Sequence, residues 1–230
     1  MPTLAELAKM FDHSLLQPTL TDAEMVNGCL LAREYDVASV CIKPYAVKLA
    51  ANLLAGSTVR ASTTIGFPHG GHAPGVKVYE SERAMDDGAT ELDMVVNIGK
   101  VLSGEWNYVA HDIEAVVKAA HARGCRVKVI FENALLRNEH KIELCRICGE
   151  VRADWVKTST GYAESGATIP DLKLMREHSP GHVQVKAAGG VRTYETLMQV
   201  REVGVTRVGA TATQAILEDA KAKLGKDVRA

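Results

Sequence analysis

The chain carries almost no net charge, and this limits the partners it can have. Its 230 residues include 27 Lys and Arg against 28 Asp and Glu, a formal net charge of −1. Binding to nucleic acid or to an anionic membrane depends on an excess of positive charge. Aromatic residues make up only 5% of the chain and do not alternate with basic residues as a base-stacking surface requires. We therefore expect no nucleic acid and no membrane among its partners.

Long apolar runs and a cysteine framework are also missing. No apolar stretch approaches the roughly 18 residues of a membrane helix, and residues 1–10 lack the basic and apolar regions of a signal peptide. The five cysteines are scattered and odd in number, which is typical of a reducing compartment. Cys145 and Cys148 have the spacing of a redox or zinc pair, but no second pair completes a zinc site. These features predict a cytoplasmic protein that has neither structural disulfides nor a metal site.

The chain does have a regular alternation of short β-branched runs and longer helical patterns. The predicted strands are 11–16, 37–42, 59–65, 91–97, 127–132, 155–158, 183–187 and 206–209. The predicted helices are 22–35, 45–54, 76–87, 106–123, 138–151, 170–178, 194–203 and 213–222. Such alternation implies a parallel sheet with right-handed crossovers. Eight units in one chain of this length predict an α/β protein, a (β/α)8 TIM barrel, as a single domain over residues 1–230. A doubly wound sheet is the alternative, but no Gly-x-Gly-x-x-Gly follows the first strand.

Two lysines occupy unusual positions at the ends of predicted strands. Lys157 ends the run Asp-Trp-Val-Lys and precedes Thr-Ser-Thr-Gly, and Lys186 ends Val-Gln-Val-Lys and precedes Ala-Ala-Gly-Gly. Lysine is strongly hydrated and is rarely buried without a partner or a task. Barrel enzymes take their reactive groups from the carboxyl ends of their strands. The two lysines therefore predict a site built around an amine.

Two carboxylates lie in apolar surroundings on the same predicted rim. Asp12 and Asp93 each interrupt a hydrophobic stretch, where an unpaired carboxylate is costly. Lysine attacks a carbonyl only as the free amine, and burial or a neighbouring cation lowers its pKa from about 10.4. We expect Lys186 to repel the proton of Lys157, and Asp12 or Asp93 to hold the second cation and carry protons. The resulting imine permits cleavage of a carbon–carbon bond without metal.

Glycine turns after the last two strands predict a phosphate site. Many barrels bind phosphate in these two loops, beside the N-terminus of a helix, because backbone N–H groups there are accessible. The turn after Lys157 lies on the same rim and completes the predicted pocket. The residues predicted to bind substrate or phosphate are Thr158, Gly161, Gly189, Gly190, Arg192, Gly209 and Thr211.

Five segments, in this order along nearly the whole chain, resemble the motifs of the deoxyribose-phosphate aldolase family. They are 12–16, 66–70, 91–97, 156–161 and 186–192, and Lys-Thr-Ser-Thr-Gly in the fourth is the most specific. The resemblance implies a class I aldolase without a cofactor. It also implies that 2-deoxy-D-ribose 5-phosphate is interconverted with acetaldehyde and D-glyceraldehyde 3-phosphate, in deoxyribonucleotide catabolism.

The same resemblance implies a role for each residue at the centre of the site. Lys157 would form the Schiff base, and Lys186 would lower its pKa. Asp93 would move the proton at the α-carbon of the imine through water, and Asp12 would orient Lys186. Members of the family often self-associate, so the resemblance also implies a homodimer or another homo-oligomer.

Two departures from the family pattern affect the predicted phosphate site. Family members usually have a serine-containing turn after the last strand, where this chain has Thr211 and Ala212. Some have a lysine where this chain has Tyr162. Both changes predict weaker phosphate binding, so a different or unphosphorylated acceptor aldehyde stays an alternative.

Three further interpretations have weaker support in the sequence. A phosphate-binding barrel isomerase or synthase would use Asp93 and Glu132 as acid and base. A sugar-phosphate sensor would keep the pocket and lack the chemistry. A metal site at His69 and His72 would need a third ligand, and a mobile loop over the barrel mouth explains these histidines better.

Overall fold

The computed structural model describes residues 2–227. Among these residues, eight parallel strands pair in chain order, and the first also pairs with the last, so the sheet closes. The strands are β1 Phe11–Leu15, β2 Ser39–Ile42, β3 Arg60–Ile65, β4 Glu91–Val95, β5 Arg126–Ile130, β6 Trp155–Lys157, β7 Gln184–Ala188 and β8 Arg207–Ala210. The fold is the predicted (β/α)8 barrel.

Helices precede β1, separate the strands and follow β8. They are α1 Leu4–Ala8, α2 Asp22–Glu34, α3 Val47–Leu54, α4 Pro74–Asp86, α5 Ile98–Leu102, α6 Trp106–His121, α7 Asn138–Glu150, α8 Ile169–His178, α9 Tyr194–Glu202 and α10 Thr213–Asp227. Short 3-10 turns lie at Pro44–Ala46 and Asn133–Leu135. Within the described residues, no helix combines the length and the apolar character that crossing a membrane would require.

The predicted elements are all present, and two short helices were not predicted. Strand ends differ from the predictions by two residues at most, and α10 extends beyond its predicted end. The unpredicted helices α1 and α5 have five residues each, too few to show a helical period. Their first turns are instead held by capping residues, Thr3 in α1 and Asn97 in α5.

The two faces of the strands differ in character, and this difference creates the site. Leu92 and Met94 in β4, and Val127 and Val129 in β5, belong to the apolar core between sheet and helices. Successive strand residues point to opposite faces. The alternate positions therefore face the inside of the barrel, and in several strands they carry charged side chains.

A buried ion pair joins two helices outside the barrel. Lys77 of α4 lies 2.5 Å from the Oδ2 atom of Asp112 in α6, and both side chains are fully buried. Lys77 also donates a hydrogen bond of 2.8 Å to the backbone carbonyl of Val95 at the end of β4. The pair thus fixes α4 and α6 relative to the strand that carries Asp93.

Removing one partner of this pair should destabilise the fold strongly. Lys77→Met leaves a buried carboxylate without its cation, which typically costs about 3–5 kcal/mol. The double change Lys77→Met with Asp112→Leu should recover most of that loss, because no charge is then left unpaired. The free energy of unfolding in urea measures both effects.

The matched control is the exposed pair of Lys118 and Glu114 in α6, whose side chains are 72% and 43% exposed. Lys118→Met should cost less than about 1 kcal/mol. A stability loss in Lys77→Met no larger than in this control would contradict the structural role assigned to the buried pair.

Candidate active site

A cavity of about 320 Å³ opens at the carboxyl ends of the strands. Its walls come from β1, β2 and β6–β8 and the loops that follow them. Nine of the eleven residues predicted from the sequence line it, namely Asp12, Lys157, Gly161, Lys186, Gly189, Gly190, Arg192, Gly209 and Thr211. The other two, Asp93 and Thr158, lie outside its lining.

The two predicted lysines meet at the floor of this cavity. They occupy paired positions on the neighbouring strands β6 and β7. The Nζ atom of Lys157 donates to Oδ2 of Asp93 at 2.7 Å, and the Nζ atom of Lys186 donates to the same oxygen at 2.6 Å. Lys186 also donates to Oδ2 of Asp12 at 2.5 Å. Because one carboxylate oxygen binds both amines, the amines lie within two hydrogen-bond lengths of each other.

Asp93 lies directly below the two lysines and is fully buried. Its second oxygen, Oδ1, accepts a hydrogen bond of 2.9 Å from Lys128 of β5. Asp12 is equally buried, and its Oδ1 atom accepts from Ser39 at 2.6 Å. Both carboxylates thus accept hydrogen bonds from several strands, including strands across the barrel.

A deeper layer of charges was not predicted from the sequence. Lys128 lies 2.6 Å from Oε2 of Glu91, and Arg207 donates to Glu91 at 2.9 and 3.2 Å and also to Asp12. The ring of Trp155 lies below, with its centroid 4.9 Å from the Arg207 guanidinium, a cation–π arrangement. We call the connected set the ionic column. It consists of Asp12, Glu91, Asp93, Lys128, Lys157, Lys186 and Arg207.

The sequence did contain a signal for this deeper layer. In Arg126-Val-Lys-Val-Ile a lysine stands between two valines, at the second position of the predicted strand 127–132 and in the middle of β5. Glu91 and Arg207 likewise stand at the first positions of β4 and β8. The rule for barrel sites points to the carboxyl ends of the strands, whereas these residues lie at the start or in the middle of theirs.

The pKa values in the ionic column move in opposite directions. Burial alone would lower the pKa of Lys128 and Lys186, but the adjacent carboxylates outweigh it and raise both values. Burial likewise opposes ionisation of Asp93, yet the cations around it hold its pKa well below its usual range. For Lys157, burial lowers the pKa and the charge of Lys186 adds to this, against the opposing effect of Asp93. Among the cations of the column, Lys157 is therefore the one whose pKa shifts toward the free amine.

The glycines at the cavity wall allow close approaches. Gly189 and Gly190 have positive φ values of 75° and 90°, which favour glycine. A Cβ atom on Gly189 would lie 2.8 Å from the Cα atom of Gly166. Gly209 faces the stem of Lys186, where an added Cβ would lie 3.5 Å from its Cε atom. That distance is an ordinary van der Waals contact, so only Gly189 is required by a close approach, which lets two loops meet at the mouth.

Thr158 is placed differently from its prediction as a substrate-binding residue. Its hydroxyl donates to the carbonyl of Ala188 at 3.2 Å and accepts from the N–H of the same residue at 3.1 Å. It is fully buried and does not line the cavity. Because Lys157 points inward, the next residue must point away. Thr158 therefore joins β6 to β7.

Glu132 is also engaged elsewhere. It has a left-handed backbone conformation, with φ of 60°. Its carboxylate accepts from the backbone N–H of Thr160 at 3.3 Å and from the hydroxyl of the same residue. It does not line the cavity. The pairing of Asp93 with Glu132 as acid and base, which an isomerase or synthase would need, is thus not supported by the geometry.

Comparison with known proteins agrees with this arrangement. A family model described as DeoC/LacD family aldolase matches residues 6–217. The chain is 57% identical over 220 residues to the deoxyribose-phosphate aldolase of Rhodopirellula baltica, covering 96% of this chain and 91% of that relative. It is 44% identical to the deoxyribose-phosphate aldolase of Thermococcus gammatolerans, over 94% of this chain and 97% of the relative.

Solved structures give the same result. A putative deoxyribose-phosphate aldolase from Coccidioides immitis superimposes with a TM-score of 0.91 at 35% identity, covering 96% of this chain and 87% of the other. The deoxyribose phosphate aldolase of Aeropyrum pernix, described as a tetramer, gives 0.89 at 28% identity, over 96% and 93% of the two chains. With a matching family model over most of its length and relatives well above 30% identity, the chain belongs to the DeoC/LacD family of aldolases.

Proposed function

We propose that this chain is a class I aldolase that cleaves 2-deoxy-D-ribose 5-phosphate into acetaldehyde and D-glyceraldehyde 3-phosphate, and catalyses the reverse reaction. The observation that carries the proposal is the buried amine of Lys157 at the floor of the cavity, with its pKa lowered. The names of the relatives support the choice of substrate. The alternative of a sensor without chemistry has no support from these relatives.

The proposed reaction begins with attack of the Lys157 amine on the aldehyde carbon of the open-chain sugar. Loss of water gives an imine, which accepts the electron pair of the breaking C2–C3 bond as the C3 hydroxyl loses its proton. Glyceraldehyde 3-phosphate leaves, and the remaining enamine takes up a proton at C2. Hydrolysis then releases acetaldehyde and restores the amine.

The residues around Lys157 supply the proton transfers in this proposal. Asp93 accepts hydrogen bonds from both Lys157 and Lys186, so it can pass a proton between the two amines. Asp93 does not line the cavity, and it therefore reaches the substrate only through Lys186 or a water molecule. Asp12 fixes the position of Lys186 from the other side. Lys186 would thus be the group that delivers the proton to the cavity.

The phosphate of the substrate would lie at the mouth of the cavity. Gly189 and Gly190 offer backbone N–H groups there, and Arg192 and Thr211 offer a charge and a hydroxyl. Helix α10 begins two residues after Thr211, and a helix N-terminus attracts anions. Ala212 has no hydroxyl to offer, and its methyl group packs against the apolar core.

Tyr162 takes a structural part in the same wall. Its hydroxyl donates to the carbonyl of Leu16 at 2.8 Å, and its ring meets the ring of Phe67 edge to face at 5.4 Å. It thereby ties the loop after β6 to the loops after β1 and β3. In this proposal the site binds phosphate through Arg192 and the backbone, without the lysine that some family members have at the position of Tyr162.

We also propose that the enzyme works in the cytoplasm, in deoxyribonucleotide catabolism, as a homo-oligomer. All five cysteines are free and buried, which suits a reducing compartment. The relative from Aeropyrum pernix is described as a tetramer, which supports self-association.

Replacing the proposed nucleophile should abolish the chemistry and spare the fold. Lys157→Ala should lower the rate of cleavage at least about a thousandfold, and borohydride in the presence of acetaldehyde should trap no covalent adduct. Mass spectrometry of the treated protein and an aldehyde-release assay measure the two effects.

The control is Lys43→Ala. Lys43 also follows a strand, but its Nζ atom donates to the carbonyl of Leu20 and it does not line the cavity. It should retain both turnover and the adduct. Normal turnover in Lys157→Ala, or an adduct on a different lysine in the unaltered protein, would rule out the proposed imine.

Removing the charge at the cavity mouth should affect only phosphorylated substrates. A hydrogen bond to a charged group is worth about 1.5–3 kcal/mol, so Arg192→Ala should raise the KM for 2-deoxyribose 5-phosphate about 10- to 100-fold. The KM for unphosphorylated 2-deoxyribose should not change. Arg201→Ala, on the exposed side of α9, is the matched control. Equal losses for both sugars would place the phosphate elsewhere.

A further inference from the structure

The charges of the ionic column balance in only one protonation state of Lys157. The column contains three carboxylates, from Asp12, Glu91 and Asp93, and four basic groups. Every member is at most 7% exposed, so water compensates little of any surplus charge. With Lys157 as a free amine the three remaining cations match the three carboxylates. With Lys157 protonated, the interior would hold one positive charge in excess.

The charge of Lys186 alone does not balance the three carboxylates of the column. Its Nζ atom lies 2.5 Å from Asp12 and 2.6 Å from Asp93, so two carboxylates compensate its charge where it stands. Lys128 contacts more carboxylates, because its Nζ atom lies 2.6 Å from Glu91, 2.9 Å from Asp93 and 3.4 Å from Asp12. It is the one cation of the column in ion-pair contact with all three carboxylates.

We propose that Lys128 is a positioning residue that keeps Lys157 in the free-amine form by completing the charge balance of the ionic column, with Glu91 as the opposing charge. Neither residue lines the cavity, so both act on Lys157 through Asp93. This inference rests on the proposed function, in which Lys157 is the nucleophile.

The direct contacts show how the effect reaches Lys157. Lys128 binds one oxygen of Asp93 and Lys157 binds the other. Without the charge of Lys128, that carboxylate would have more negative charge to share with Lys157. The proton would then stay on Lys157, because a buried carboxylate favours a cation beside it. Loss of Glu91 would act in the opposite sense, since Lys128 would then have only two carboxylates to neutralise.

Other ionisable groups around the column do not change this count near neutral pH. Arg207 of β8 pairs with Glu91 and Asp12 and stays charged. Cys41 of β2 lines the cavity floor, and burial raises the pKa of its thiol to about 11, so it stays neutral. Arg60 of β3 lies 3.7 Å from Glu91, but its side chain is 44% exposed and its charge is largely screened. Arg126 of β5 stands at the opposite mouth over the Trp155 ring.

The test is a pair of charge changes that should move one pKa in opposite directions. The measurement is the pH dependence of kcat/KM and of the rate of adduct formation with acetaldehyde under borohydride. Both rates require the free amine, so their acidic limb reports the pKa of Lys157. Lys128→Met should move this limb to higher pH by about one to two units. The rate on the alkaline plateau should largely recover.

Glu91→Gln should move the same limb to lower pH. The double variant Lys128→Met with Glu91→Gln removes one charge of each sign, and its limb should return close to that of the unaltered protein. Circular dichroism and the urea midpoint of each variant show whether the barrel has remained intact. If Lys128→Met alone does not fold, the direction of the Glu91→Gln shift and the recovery in the double variant still decide the question.

Several results would overturn the inference. Shifts of the same sign in both single variants, an unmoved acidic limb in Glu91→Gln, or a loss of rate at every pH without rescue in the double variant would each show a merely structural role. Failure of the proposed function looks different, because the unaltered protein would then form no adduct on Lys157 at any pH.

Discussion

Exclusion of water from the barrel is the constraint on which this active site depends. An ion inside an apolar barrel must have a partner, because the loss of hydration otherwise outweighs any local attraction. Seven ionisable side chains are enclosed here, and all of them are in contact with an opposite charge. The same exclusion lowers the pKa of Lys157. The ion pairing of the interior and the lowered pKa of Lys157 thus have a common origin in this protein, the burial of these groups away from water.

The floor and the mouth of the cavity are formed by different structural elements. The floor consists of side chains on strands, whose positions are set by the hydrogen-bonded register of the sheet. The mouth consists of glycine turns and partly exposed side chains in the loops that follow β6, β7 and β8. Chemistry at the aldehyde carbon needs precise placement, which a strand provides. The recognition of a phosphate that we propose at the mouth would need accessible N–H groups, which a glycine turn provides.

Much of the fold and of the upper site could be predicted from the sequence. The alternation of strands and helices predicted the barrel, and the rule that reactive groups lie at the carboxyl ends of strands brought together Lys157, Lys186 and Asp12. Periodicity could not show which inward positions face one another, because that depends on barrel closure and register. The partners of Lys128 therefore could not be predicted, although the sequence shows a lysine inside an apolar strand. Thr158 was predicted to bind substrate, but the alternation of strand faces turns it away from the side that Lys157 occupies.

The origin of the charges in the chain has a consequence for how the barrel forms. All three carboxylates of the ionic column come from β1 and β4, and all four basic groups come from β5 to β8. The first four strands would bring together the three acids with none of the four basic groups of the column, and only the partly exposed Arg60 lies near them. The second half would enclose four bases without an acid. During synthesis, the acids of β1 and β4 therefore meet the first basic group of the column only when β5 has been made, and the last one, Arg207, arrives with β8.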